Sequence, residues 1–348
     1  MTDTHYPATP SDESSPARLI GLDWGTSSCR AYLIDGTGQI LASTTGGLGV
    51  LAMSAATDRA AAFDDQLKAL VGDWLRTSPG LPMVACGMVG SDQGWSVAAY
   101  KETPADLVNS SLLPLTEVST TLGTLHIVPG LLSYGTPGKH GTPLPNVMRG
   151  EETQILGVVP EPPDESTHVV ILPGTHTKWA QLKGSTVTDF ATSMTGEIHA
   201  LLLQHSILGR TAQNPAAPDL KAFEQGLDVV FGSGNRSPAG DTHILSTLFS
   251  ARTLPMTGAL EPAGVPDYIS GLLIGTAVAG FTQQWLADAA VSEVPPTVTI
   301  CANDALARRY AHALLRTGTK ATVAAGTPAA AGLWRIALLA GLTERETP

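Results

Sequence analysis

The chain is poor in cysteine, in charge and in long apolar runs, and each shortage excludes something. Its 348 residues include only three cysteines, Cys29, Cys86 and Cys301, far apart and with no C-x-x-C pair. That spacing argues against a disulfide framework or a thiolate metal site. It fits a reducing cytoplasm, with each thiol a small buried apolar group. No run of about 18 apolar residues occurs, so no membrane-spanning helix is expected. The opening MTDTHYPATPSDESSPA has neither a basic region nor an apolar core, so it does not read as a secretory signal. Its Pro, Ser, Thr and Asp content predicts a disordered lead-in over 1–17. Charged residues make up 15% of the chain, 20 basic against 31 acidic, for a formal net charge of −11. A general nucleic-acid surface needs a basic stripe and is not expected here. An anionic small molecule needs only a few local positive groups.

What is present is a globular composition, 43% apolar, at a length suited to two domains. From Leu19 to Ala42, strand signals alternate with a turn at Asp35–Gly38, which predicts an antiparallel meander. Helical periodicity runs over about 55–76 through Phe63, Leu67, Leu70 and Trp74. PMVACGMVG then reads as a short buried strand running into glycine. A second half begins near Leu144. RGEETQILGVV reads as a helix opened by Gly150, with acidic residues in its first turn, as the helix dipole favours. Farther on, strands in HVVILPGTHTKWAQLKG, TVTICAND and ATVAA alternate with apolar helices, the pattern of a mainly parallel, helix-covered sheet. The division expected is 1–17 lead-in, 18–143 first domain and 144–348 second domain.

One stretch raises a chemical question. LIGLDWGTSSCRAYLID is two strands joined by Gly25, Thr26, Ser27 and Ser28, with a carboxylate, Asp23, near the end of the first strand. About 150 residues later HVVILPGTHTKWAQLKG repeats the shape, Gly174-Thr175-His176-Thr177 standing where Gly25–Ser28 stood. A turn of glycine and hydroxyl residues offers backbone N–H groups and O–H groups in a concave array that suits polyphosphate oxygens. Two such turns, one per domain, can hold one nucleotide between them. Asp23 beside phosphates would repel them unless a cation lay between, and Mg²⁺ takes one or two carboxylates plus phosphate oxygens. The alternative for Asp23 is a cap on its own turn. Other nucleotide and metal motifs are missing. GTPGKHGT (135–142) lacks P-loop spacing, no G-x-G-x-x-G follows a strand, and no H-E-x-x-H occurs.

LDWGTSSCRAYL and PGTHTKWA, with the acidic helix start between them, resemble the actin-like, sugar-kinase and heat-shock ATPase superfamily. Within it, GMVGSDQGW, NVMRGEETQILG, LPGTHTKWA, MTGEIHALLLQHSILG and YISGLLIG together resemble the 2-dehydro-3-deoxygalactonokinase family, over roughly 19–342. The resemblance implies an α/β fold of two ribonuclease-H-like domains, with mixed sheets covered by helices and a central nucleotide cleft. It also implies transfer of the γ-phosphoryl group of ATP, with Mg²⁺, to the C6 hydroxyl of 2-dehydro-3-deoxygalactonate, in galactonate breakdown.

Site roles follow from the resemblance and from what phosphoryl transfer requires: in-line positioning, charge neutralisation and a proton acceptor. In related sugar kinases an acidic residue opens a helix about two dozen positions before the second phosphate turn. Here Glu151 precedes Thr175 by 24 (175 − 151), which makes Glu151 the candidate base, with Glu152 second and Asp23 an open alternative. Arg149 would pair with the substrate carboxylate or with Glu151 or Glu152. Lys178 would lie near phosphates or stand as a solvated strand lysine. Gly90, Ser91 and Trp95 are assigned to the sugar acid, Trp95 as a flat wall, with Asp92 an extra negative charge in that loop. Arg252 is a further carboxylate partner. Glu197 would contact substrate or fix the second turn. Adenine would lie against Asn303, in a left-handed backbone position, and Gly326. A homodimer is the default assembly. The competing readings are a kinase for the gluconate epimer or another sugar acid, a non-catalytic sugar sensor on the same scaffold, and an ATPase acting on a protein partner.

Overall fold

A computed structural model of the chain describes residues 15–109, 111–135, 144–164, 166–213, 217–232, 244–286 and 296–346. In chain order the strands are β1 (Ala17–Trp24), β2 (Ser28–Asp35), β3 (Ile40–Leu48), β4 (Met83–Cys86), β5 (Tyr100–Glu102), β6 (Ala105–Asp106), β7 (Thr116–Thr120), β8 (Gly123–Ile127), β9 (Gly130–Ser133), β10 (Asn146–Met148), β11 (Thr167–Leu172), β12 (Thr177–Lys183), β13 (Thr186–Ser193), β14 (Thr297–Ile300) and β15 (Thr322–Val323). The helices are α1 (Val50–Ser54), α2 (Arg59–Thr77), α3 (Glu151–Val158), α4 (Thr195–His205), α5 (Leu220–Phe231), α6 (Ile244–Thr247), α7 (Ser250–Met256), α8 (Val265–Phe281), α9 (Asp304–Leu315) and α10 (Pro328–Leu339).

The strands build the same sheet twice. The first has order β3-β2-β1-β4-β8-β7. Its meander β1–β2–β3 is antiparallel, β1 pairs β4 and β4 pairs β8 in parallel, and β7 closes the edge antiparallel. The second runs β15-β14-β11-β12-β13-β6, with β11 parallel to β14, β14 parallel to β15 and β6 antiparallel on the edge. The two share a five-strand core, β3-β2-β1-β4-β8 and β13-β12-β11-β14-β15, in which three consecutive strands are followed by two added beside the first, the ribonuclease-H-like arrangement; β7 and β6 are the extra edge strands. The repeat between the two Gly-Thr turns is therefore a repeat of whole sheets.

Burial explains the strand patterns. Ile20, Leu22 and Trp24 on β1 point into a core with Phe63, Leu67 and Val71 of α2. In the second core Trp179 of β12 stacks on Phe281 at 4.5 Å, over Phe223, Leu227, Tyr268 and Leu272. The helical stretch Pro262–Leu286 is long and apolar enough to cross a membrane by length and composition, and 67% of its apolar window is buried in this core. The three cysteines are buried and unpaired.

The chain divides into two units: 1–165, 182–189 and 325–348 form the first, 166–181 and 190–324 the second. This differs from the division expected at 143/144. Helices α3 and α10 fold with the first sheet although both lie beyond the expected boundary. A Cβ on Gly332 would stand 1.8 Å from the Thr153 carbonyl oxygen, and one on Gly157 2.0 Å from that of Pro328. Only glycine at these positions lets the two helices touch backbone to backbone. Arg335 locks the crossing by donating to the carbonyls of Leu156 and Val159 at 2.6 and 2.7 Å. Strand β1 begins at Ala17, inside the expected lead-in, and residues 1–14 lie outside the described residues, as does most of GTPGKHGT.

Candidate active site

In the first unit the Gly25–Ser28 turn is fixed from below. The Gly25 N–H donates to the Ser28 carbonyl at 2.9 Å, while Val50 and Leu51, at the start of α1, donate to the carbonyls of Gly25 and Thr26. A Cβ on Gly49 would lie 2.4 Å from backbone atoms of Thr26, Ser27 and Ser28, so α1 approaches the turn as closely as a backbone can. The hydroxyls of Thr26, Ser27 and Ser28 are exposed and accept or donate no hydrogen bond among the described residues.

Asp23 stands at the end of β1, opposite Cys86 on β4 and Arg30 on β2. Burial pushes its carboxyl up, and the Arg30 guanidinium, 3.7 Å away, opposes that shift. The start of α3 reaches the same strand ends. A Cβ on Gly87, just past β4, would meet the Trp24 carbonyl oxygen at 2.7 Å, and one on Gly150 would meet the Gly87 Cα at 3.1 Å. Glu151 and Glu152 therefore open α3 at the carboxyl ends of β1 and β4. Glu151 is half-buried, and its Oε2 accepts the Arg149 main-chain N–H at 3.0 Å. Glu152 is fully buried. It accepts the Gly150 N–H on both oxygens and the Thr153 hydroxyl. Burial, then the neighbouring Glu151 charge, push its carboxyl up to about 7.

The loop assigned to the sugar acid is only partly available. Ser91 donates its hydroxyl to the Met88 carbonyl at 2.7 Å. Trp95 packs rather than walls a ligand: its ring stacks on Phe63 at 5.5 Å and meets Trp24 edge-on at 6.2 Å. The Asp92 carboxylate is exposed and caps the Gln93 N–H. Among the described residues the Arg149 guanidinium forms no ion pair with Glu151 or Glu152, one of its two expected roles.

In the second unit the turn Gly174–Thr177 rests on α4. A Cβ on Gly196 would lie 2.4 Å from the Gly174 carbonyl oxygen, and the Glu197 N–H donates to the Thr175 carbonyl at 3.0 Å. The Glu197 carboxylate meets the His176 ring nitrogen Nε2, so Glu197 braces the turn, one of its two expected roles. Thr175 and His176 are exposed. Thr177 is not: its hydroxyl is fully buried in a ring with those of Thr195 (2.7 Å) and Tyr310 (2.9 Å), which are themselves 2.9 Å apart. Thr177 thus ties the turn to α4 and α9. Lys178 is buried and donates to Thr192 at 3.0 Å, so it is not a solvated strand lysine.

A cavity of about 520 Å³ opens beside this turn. Gly174, Thr175, Thr195 and Gly196 form one end, Ser270, Leu273 and Ile274 of α8 one wall, and Asn303, Leu306, Arg309 and Tyr310 another. Ser270, Leu273 and Ile274 follow helical i, i+3, i+4 spacing, a face readable in YISGLLIG. Arg309 is held by Asp267. Asn303 lines the cavity but is not in a left-handed conformation: at φ −63° it is the extended N-cap of α9, and its Oδ1 accepts from Leu306 at 3.0 Å. Gly326 belongs to the first unit, with φ +69°. Arg252 lies on α7 and is not among the residues lining the cavity. The roles of Thr195, Ser270, Arg309 and Tyr310 were not visible in the sequence, because only folding brings α4, α8 and α9 to one place.

Two sheets sharing this five-strand core, each with a glycine–hydroxyl turn after its first strand, define the fold of the actin-like and sugar-kinase ATPase superfamily. Residues 23–336 match the family described as 2-keto-3-deoxy-galactonokinase. The 2-dehydro-3-deoxygalactonokinase of Escherichia coli (strain K12) is 35% identical over 314 residues, 90% of this chain and 94% of that one. A Rhizobium meliloti (strain 1021) protein described as a candidate for the same enzyme is 33% identical over 260 residues, 74% of this chain and 78% of that one. The crystal structure of a candidate 2-dehydro-3-deoxygalactonokinase from Sinorhizobium meliloti superposes with a TM-score of 0.72 at 30% identity, covering 92% of this chain and 98% of that one. The chain belongs to the 2-keto-3-deoxy-galactonokinase family.

Proposed function

We propose that this protein transfers the γ-phosphoryl group of ATP to the C6 hydroxyl of 2-dehydro-3-deoxy-D-galactonate, giving the 6-phosphate and ADP. Family membership over nearly the whole chain carries the reading. The cavity beside the second turn supports it, since its size and apolar walls suit a nucleoside.

In this reading the nucleoside occupies the cavity between α4, α8 and α9. The phosphates run along the Gly174–Thr175 backbone; the N–H and O–H groups of Gly25–Ser28 form an array of the same chemistry in the first unit. Asp23 is suited to a Mg²⁺ that is shared with phosphate oxygens. Burial has raised its carboxyl, and a divalent charge would offset that cost. No group of three or more His, Cys, Asp or Glu able to hold a metal occurs among the described residues, which fits an ion held mostly by phosphate and water. When bound, the ion neutralises charge developing on the transferring group.

Glu151 accepts the proton from the C6 hydroxyl. The oxygen–phosphorus bond forms as the bond from the γ-phosphorus to the β,γ-bridging oxygen breaks, and ADP leaves with that electron pair. Asp23 remains the alternative base. Glu152, fully committed to the Gly150 N–H and Thr153, holds the helix start that presents Glu151. The three buried, unpaired thiols suit the cytoplasm.

The test is to compare kcat/KM on 2-dehydro-3-deoxygalactonate and its gluconate epimer with MgATP. A clear preference for the galactonate acid is expected. Equal or reversed preference overturns the substrate, and ADP binding without turnover of either acid overturns the kinase reading.

A further inference from the structure

A buried cation without an anion beside it is costly, and Arg149 is one. It is 8% exposed, directly before Gly150 and the acids that open α3. Its Nη2 donates to the Ala98 carbonyl at 2.8 Å, and its guanidinium carbon lies 4.3 Å from the centre of the Tyr100 ring. Nε and Nη1 are buried with no acceptor. Among the described residues no carboxylate forms an ion pair with it. The face of Tyr100 offsets part of the desolvation, but donors of a buried charged group left without acceptors cost free energy that a bound anion would recover.

Gly90 packs closely against the orphaned donors. A Cβ there would come 3.0 Å from Nη1, 2.9 Å from Cγ2 of Ile127 and 3.2 Å from Cβ of Ala98. Any side chain at this position would displace the guanidinium or its neighbours. Val97, Ala99 and Tyr100, on either side of the Ala98 carbonyl that accepts from Arg149, are exposed.

We propose that Arg149, backed by Tyr100, binds the substrate's C1 carboxylate through its unpartnered Nε and Nη1. The inference rests on the kinase reading and deepens it: the enzyme would select 2-keto acids over neutral sugars of the same length through one buried guanidinium. Ser91 and Trp95, whose groups are committed elsewhere, take no part in that selection.

The full chain with Arg149→Met and Arg149→Lys tests this. MgADP binding by calorimetry is the control for folding and should be unchanged in both. On 2-dehydro-3-deoxygalactonate, Arg149→Met should raise KM about 100-fold, the size expected for losing a charge-assisted bond. Its preference for the free acid over the methyl ester should collapse, while Arg149→Lys should keep part of that preference. Wild-type acid/ester discrimination in a folded Arg149→Met protein would overturn the proposal. So would a KM increase that left the acid/ester ratio unchanged, since that is the result of a merely structural residue. If Arg149→Met fails to bind MgADP, the acid/ester ratio of Arg149→Lys decides. If the wild type phosphorylates no keto acid, the kinase reading fails by itself. Saturation-transfer NMR with pyruvate, a minimal 2-keto acid, still tests the site: binding to wild type and loss in Arg149→Lys supports it, and equal signals overturn it.

Discussion

The main-chain N–H of Arg149 donates to Oε2 of Glu151 at 3.0 Å, tying the candidate base to the residue proposed to hold the other end of the substrate. The bond fixes the carboxylate at the start of α3. Glu151→Gln keeps the shape and the N–H acceptor but loses basicity. It should lower kcat by about 10²- to 10⁴-fold with ADP affinity intact. Steady-state kinetics at saturating Mg²⁺ check this. Near-normal kcat in Glu151→Gln, with collapse in Asp23→Asn, would assign the base to Asp23.

Glu152 makes stability depend on pH. Its carboxyl lies at about 7 in the folded protein against an ordinary 4.5. Between those values the folded state holds the extra proton, so this group's contribution to stability falls as pH rises from about 4.5 to about 7 and is flat above. The span corresponds to about 3 kcal/mol at most. Urea unfolding of wild type and Glu152→Gln at pH 5 and pH 8 measures it. The wild type should lose stability relative to the variant across that interval, and a pH-independent difference would contradict the assignment.

Both turns should be intolerant of a single methyl group below them. Gly49→Ala and Gly196→Ala each place a Cβ about 2.4 Å from turn backbone. Each should cost on the order of 1–3 kcal/mol of stability and raise KM for ATP more than KM for the sugar acid. Thermal unfolding and two-substrate kinetics read the two effects separately.

The ring of Thr177, Thr195 and Tyr310 hydroxyls should set the second turn without touching the sugar. Tyr310→Phe leaves the Thr177–Thr195 bond in place and removes two others. A stability loss of about 1 kcal/mol is expected, with a several-fold rise in KM for ATP and little change in KM for the acid. In the Thr177→Val background the Tyr310→Phe effect should shrink, which a double-mutant cycle measures.

The sequence exposed what depends on local pattern. The meander of β1–β3, the helix opened by Gly150 and the second glycine–threonine turn are all readable from alternation, turn residues and repetition. It hid what depends on contacts between distant segments. Nothing local in PAAAGLWRIALLAG says that Gly332 will lie against Thr153, so α10 was assigned to the wrong unit. Thr177 reads like any turn hydroxyl until Tyr310, 133 residues on, claims it. Trp95 looks like a binding surface until Phe63 stacks on it. Lys178 sits on a strand where alternation allows either face, and the fold buries it beside Thr192.

The most direct measurement is ³¹P NMR of the purified full chain with MgATP and 2-dehydro-3-deoxygalactonate. ADP and one new phosphomonoester coupled to the C6 protons should appear in equal amounts, with neither formed when the acid is left out. ADP released without the acid, or phosphate attached to a different carbon, would contradict the account.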